Sequence, residues 1–173
     1  HCISSAASDV YKRQANNVVY INTYYPGPLD AGVEITNNTI ANNNNMNAVT
    51  LCLRTGNVCT LTDNIIAYNR WGIYRSSGPH PIISYCDVWG NEENYHGTNP
   101  GENCISEDPH FFDPTDGNYS LIWNSDTFSP CIDTGDPDAE WDTDNTPPDM
   151  GAITAISHDY FYNQYDGGVI DQI

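Results

Sequence analysis

Residues 35–43 read ITNNTIANN, residues 61–69 read LTDNIIAYN, and residues 83–91 read ISYCDVWGN. Set beneath one another, the three segments share columns. The first column holds Ile35, Leu61 and Ile83, the sixth Ile40, Ile66 and Val88, and the ninth Asn43, Asn69 and Asn91. The fourth holds Asn38, Asn64 and Cys86. The offsets are 26 and 22 residues. A second set runs between them, NAVTLCL at 47–53 and WGIYRS at 71–76. Self-similarity at a period of about 20–50 residues marks a chain built from stacked repeats.

The length and composition of the unit narrow the choice. A unit of 22–26 residues is too short for a helix pair, and leucine is too scarce for leucine-rich repeats. Short β-prone runs separated by Asn, Gly and Asp fit a coil of strands. An all-β fold is expected, a right-handed parallel β-helix whose turns stack about 4.8 Å apart. A twisted β-sandwich of the same short strands is the alternative. Asn tolerates left-handed backbone angles better than any residue but Gly, which suits Asn38, Asn64, Asn43, Asn69 and Asn91 to the bends. Their amides can also bond from one turn to the next. The Ile, Leu and Val columns are expected to point inward, and Ile66→Ala to cost about 2–5 kcal/mol. The tract NNNNMN at 42–47 lies between two repeat units and reads as a loop or turn.

Residues 4–14, SSAASDVYKRQ, match residue for residue the in-frame translation of a transposase adapter used in short-read library preparation. Residues 1–14 are expected to be derived from that adapter and are set aside. The natural chain is expected to begin near Ala15, inside a longer protein. With Lys12, Arg13 and Asp9 removed, the five basic and 23 acidic residues become three and 22, and the net charge moves from −18 to −19. Such a balance argues against nucleic-acid binding, which needs a basic footprint, and against anionic membranes. It suits a solvated extracellular surface, a high-salt setting or divalent cations. No apolar run approaches the length of a transmembrane helix.

NNTIANN and NIIAYN resemble the repeats of right-handed β-helix proteins of the pectin-lyase-like superfamily. The stretch CISEDPHFFDPTDGNYSLIWNSDTFSPCIDTGDPDAEWDTDNTPPDMGA at 104–152 is similar to the closing segment of large bacterial surface proteins of that kind. Those typically run D-P-x-F, a Tyr-x-Leu strand, S-P-C-I-D-x-G-D-P, an acidic loop, then D-M-G-A. The matching pieces are Asp108-Pro109, Phe111, Tyr119 to Leu121, Ser129 to Pro137, and Asp149 to Ala152. Ile153 departs from the pattern, which usually continues with an aromatic residue and Glu. The resemblance implies β-helix turns over 15–103, a closing segment over 104–152, and a linker or the start of a further module over 153–173. It also implies bacterial-type secretion, an extracellular or cell-surface location, and a structural or adhesive role.

Five cysteines remain once Cys2 is set aside. Cys104 and Cys131 flank the closing segment, and a disulfide between them is expected, worth about 3–4 kcal/mol in an oxidising compartment. Cys52, Cys59 and Cys86 read as small apolar core residues. The loop DTGDPDAEWDTDNTPPD at 133–149 gathers Asp133, Asp136, Asp138, Asp142, Asp144 and Asp149 as candidate calcium ligands, with Glu140 among them. Calcium takes several carboxylate and carbonyl oxygens. No EF-hand loop fits, and a solvated acidic turn is the alternative.

The superfamily resemblance also raises polysaccharide cleavage. A lyase of this fold needs a Lys or Arg base, and the candidates are Arg54, Arg70 and Arg75. A hydrolase needs two carboxylates across one groove, and Asp63 and Asp87 lie in neighbouring repeats. Neither set forms a convincing constellation, and His96, in NYHG at 94–97, reads as a loop histidine. Catalysis is not expected within this chain. A lyase or glycoside hydrolase whose active site precedes Ala15 is the alternative. The binding reading rests on aromatics: Tyr68, Trp71, Tyr74, Trp89 and Tyr95 are the candidates for stacking on an extracellular polysaccharide. Packing against Phe111, Phe112 and Trp123 of the closing segment is the competing use. A monomer is expected.

Overall fold

The computed structural model describes residues 17–22, 32–43, 46–52, 57–123 and 127–153. The adapter-like residues 4–14, Arg54 and residues 154–173 lie outside them, and with the last of these nearly all of the expected linker. Among the described residues there is no helix, and the strands follow in one order. They are β1 (Asn17–Asn22), β2 (Val33–Thr36), β3 (Thr39–Ala41), β4 (Asn47–Cys52), β5 (Cys59–Thr62), β6 (Ile65–Ala67), β7 (Trp71–Ser77), β8 (Ile82–Ser84), β9 (Asp87–Trp89) and β10 (Glu93–His96), followed by β11 (Phe111–Asp113) and β12 (Asn118–Leu121).

Each of the first seven strands pairs with the third one after it. Three parallel sheets result, in the orders β1-β4-β7-β10, β2-β5-β8 and β3-β6-β9, while β11 and β12 form an antiparallel hairpin. The register reproduces the sequence columns. Ile35 lies beside Leu61 and Leu61 beside Ile83. Ile40 lies beside Ile66 and Ile66 beside Val88. Val19, Val49, Ile73 and Tyr95 form a third aligned row. Each tier of three strands thus sets its apolar residues over those of the tier before, and one cluster joins them: Ile35, Ile40, Val49, Leu51, Leu61, Ile66, Ile73, Ile83 and Val88. Burying one such side chain contributes about 1.5–3 kcal/mol.

Between the second and third sheets, and again after the third, the chain turns through a left-handed residue. Asn37, Asp63, Tyr85 and Asn103 have φ of 52°, 55°, 48° and 54°, and Asn42, Tyr68 and Gly90 have 55°, 56° and 63°. The column asparagines expected to take this conformation are instead the residues that follow. Their side chains build two polar ladders. In one, Asn38 donates from its backbone N and from Nδ2 to Asn64 Oδ1, at 3.0 and 3.2 Å. In the other, Asn43 gives the same two bonds to Asn69 Oδ1 (3.2 and 3.0 Å), Asn69 to Asn91 Oδ1 (2.9 and 3.0 Å), and Asn91 to Asn94 Oδ1 (3.2 and 2.9 Å). Asn64 and Asn69 are buried, and the ladder satisfies amides that would otherwise be costly to hold there.

A second apolar cluster lies on the outer side of the β3-β6-β9 sheet. Ile65 and Ala67 alternate outward from Ile66, yet they are as buried as it is. Phe111, Leu121, Cys131, Ile132 and Met150 cover them. The closing segment therefore runs back along the flank of all three tiers. Asn42 Nδ2 donates to Pro114 O at 2.8 Å, Asp136 N to Asp63 Oδ1 at 2.7 Å, Gly151 N to Asp63 O at 2.8 Å, and Ala152 N to Thr39 Oγ1 at 3.1 Å. Gly151 has φ of 97°, and a Cβ there would stand 2.8 Å from both Ile65 Cδ1 and Thr39 Oγ1. Only glycine allows the strap to lie that close.

Candidate functional site

On β7, Ile73 enters the core while Tyr74, the next residue, faces out. Register carries the alternation to β10, where Tyr95 lies beside Ile73 and His96 beside Tyr74. The outward rings meet. The Tyr74 and His96 ring centroids are 4.8 Å apart at 28°. Trp71, at the start of β7, lies over both, 4.5 Å from Tyr74 at 24° and 5.0 Å from His96 at 6°. A Cβ at Gly72 would meet Asn94 O at 2.5 Å and Val88 Cγ1 at 2.8 Å, so this position on β7 needs glycine.

Charged groups rim the rings. The Arg70 guanidinium carbon lies 4.9 Å from the Trp71 ring centre, a cation–π distance, and its Nε is 3.9 Å from Glu92 Oε2. His96 Nδ1 is 3.1 Å from both Glu93 carboxylate oxygens. The side chains of Arg70, Glu92, Glu93 and His96 keep 49%, 72%, 46% and 43% of their surface exposed. The result is an aromatic patch on two paired strands, edged by hydrogen-bonding groups. Chemically it can take the C–H face of a sugar ring on its aromatic surface and the hydroxyls on its rim.

Of the five aromatic candidates, Trp71 and Tyr74 stand on this patch and the other three do not. Tyr95 is packed against the main core, its hydroxyl buried close to Cys104 and Cys86. Its place in the inward Val49–Ile73 row puts it there. Tyr68 donates from its hydroxyl to Asp108 Oδ1 at 3.1 Å, and burial and that carboxylate push it up to about 12. Trp89 meets Tyr68 edge-on at 5.4 Å, and Tyr68 reaches Phe111 at 6.3 Å. The pair thus belongs to the strap. His96, read from sequence as a loop residue, is a strand residue and the third ring of the patch. The signal for it was its offset of 22 from Tyr74, the same offset that separates Asn69 from Asn91.

The acidic candidates are used differently. Asp63 and Asp87 are buried, and both accept hydrogen bonds from the strap rather than facing one groove. Asp87 Oδ1 accepts Glu107 N–H at 3.2 Å, and Oδ2 accepts the Cys131 thiol at 3.3 Å. In the acidic loop, Asp136 Oδ1 accepts Asp138 N–H (3.0 Å), Asp144 Oδ1 accepts Thr146 N–H (3.1 Å), Asp142 Oδ2 accepts Asp149 N–H (3.0 Å), and Asp149 Oδ1 accepts Asp133 N–H (2.8 Å). These carboxylates fold the loop upon itself. Among the described residues no three His, Cys, Asp or Glu side chains converge as a group that could hold a metal ion.

Cys104 and Cys131, expected to pair, are both free thiols in this structure, as are Cys59 and Cys86. Cys131 is committed to Asp87 on the flank, whereas Cys104 packs on the main core, so the two sit on opposite sides of the β3-β6-β9 sheet. No helix among the described residues is long and apolar enough to cross a membrane. No protein-family model, curated protein or solved structure matches the chain.

Proposed function

We propose that this chain is part of a right-handed parallel β-helix with a structural or adhesive role outside the cell, and that its β7–β10 face holds extracellular polysaccharide. The observation that carries the reading is the half-exposed stack of Trp71, Tyr74 and His96, rimmed by Arg70, Glu92 and Glu93. The three-strand repeat in parallel register supports the fold assignment. The strong negative charge and the scarcity of lysine suit an extracellular surface and disfavour nucleic acid.

Native gel electrophoresis through immobilised polysaccharides, neutral and uronate-containing, tests the proposal. The wild-type chain is retarded by at least one of them, and Trp71→Ala with Tyr74→Ala abolishes the retardation while the unfolding midpoint changes little. Retardation that survives the double substitution, or none in any gel, overturns the binding face. Release of unsaturated uronate products, read by their ultraviolet absorbance, would instead mark the chain as a lyase.

A further inference from the structure

The first ladder does not end at Asn64. Cys86 takes the next place and makes the same local bond. Its Sγ donates to Ser84 O at 3.2 Å, as Asn64 Nδ2 donates to Thr62 O at 2.9 Å and Asn38 Nδ2 to Thr36 O at 2.7 Å. The register then carries the column one residue type further. Ser84 bridges to Glu102 and Asp87 to Ile105, both in parallel. Tyr85 N donates to Glu102 O, and Ile105 N to Cys86 O, each at 3.0 Å. Both bridges have an offset of 18, and the same offset sets Cys104 upon Cys86. Left-handed Asn103 precedes Cys104 as left-handed Tyr85 precedes Cys86. Cys86 is fully buried and Cys104 half-buried, packed against the same core cluster. Neighbouring strands lie about 4.8 Å apart, inside the Cα separation of about 4.4–6.8 Å that a disulfide spans.

We infer that Cys86 and Cys104 are the disulfide site of this chain, closed by a low-molecular-weight disulfide and joining the last rung of the ladder covalently to the tier before it. Cys104 attacks first, being the more exposed. Its thiolate displaces one thiolate from the small disulfide and forms a mixed disulfide. The Cys86 sulfur then attacks Cys104 Sγ, the second small thiol leaves, and it takes the Cys86 proton. Two protein thiols are oxidised and one small disulfide is reduced to two thiols. Contact with Cys86 lowers the Cys104 thiol, which favours its thiolate, while the same contact and burial hold Cys86 high. The competitors among the described residues are poor nucleophiles. Burial pushes Cys59 up to about 12, and burial together with Asp87 raises Cys131 well above the usual thiol range.

The test uses the full chain, incubated folded with oxidised glutathione, alkylated, and digested at acidic residues without reduction. Asp87, Glu92, Glu93 and Glu102 separate the two cysteines, so the cross-link appears as two peptides joined. The expected result is a Cys86–Cys104 pair that persists in Cys59→Ser and Cys131→Ser, with the thermal midpoint raised by roughly 5–10 °C. In Cys86→Ser, glutathione should remain on Cys104. A Cys104–Cys131 link, or Cys86 and Cys104 both alkylated after oxidation, overturns the inference.

Discussion

The Cys131 thiol donates to Asp87 Oδ2 at 3.3 Å and so fastens the strap to the third tier through a carboxylate that is fully buried. Burial pushes the Asp87 carboxyl up to about 7, against the lowering pull of Glu107 N–H and the Cys131 thiol. The folded state therefore holds this proton more tightly than the unfolded chain. Its contribution to stability is fully present below the ordinary aspartate range and is lost as pH rises toward 7. Urea unfolding should show the chain losing on the order of 3 kcal/mol through this group between pH 4 and pH 7.5. Burial also raises Asp63 and Asp142, which adds to the slope. Asp87→Asn keeps an acceptor for Glu107 N–H and should flatten the slope by the Asp87 share. A slope unchanged in the variant contradicts the assignment.

Asn69 stands mid-ladder and is buried. It accepts both bonds from Asn43 and donates to Ile40 O and Ala67 O at 2.9 and 3.0 Å. Asn69→Ala strands several buried groups at once and should cost about 3 kcal/mol. Asn94 ends the ladder at a less buried place, where its Nδ2 donates to Ser106 Oγ at 3.0 Å. Asn94→Ala should cost about 1 kcal/mol. Urea midpoints of the two variants decide the matter, and equal losses would contradict a ladder whose middle rung is the stronger.

The apolar columns and the asparagine rungs were legible because similar residues recur at fixed offsets, which parallel strands in register bring side by side. Ile40, Ile66 and Val88 fell into one row as read, and Asn43, Asn69 and Asn91 into one ladder. The left-handed residues were placed one position late. The chain puts Asn37, Asp63 and even Tyr85 at that angle, since the ladder rung needs its own backbone N–H aimed along the stack. The Cys86–Cys104 rung escaped because its offset, 18, is shorter than those before it. The course of the strap over the flank escaped for a different reason. It is irregular and makes its contacts across distances such as Asp63 to Asp136, which no periodicity announces. Among the aromatics, row membership separates Tyr95 from Tyr74, and the competing use read from sequence, packing against the closing segment, is the one Tyr68 and Trp89 take.

Ile65 tests the strap. Read as an outward residue of a bare sheet, it should tolerate truncation. Buried beneath Ile132 and Met150, it should not. Ile65→Ala is expected to cost about 2–5 kcal/mol, as Ile66→Ala does on the opposite face. Chemical denaturation of both variants gives the comparison, and a near-neutral Ile65→Ala would mean that the flank is open.

The account rests on tiers lying over one another with a separate apolar layer outside them, and methyl contacts in solution report this most directly. In a methyl-labelled sample, Ile66 should give nuclear Overhauser contacts to both Ile40 and Val88, while Ile65 contacts Met150 or Ile132. A spectrum in which Ile66 lacks either neighbour, or in which Ile65 and Ile66 share the same partners, contradicts it.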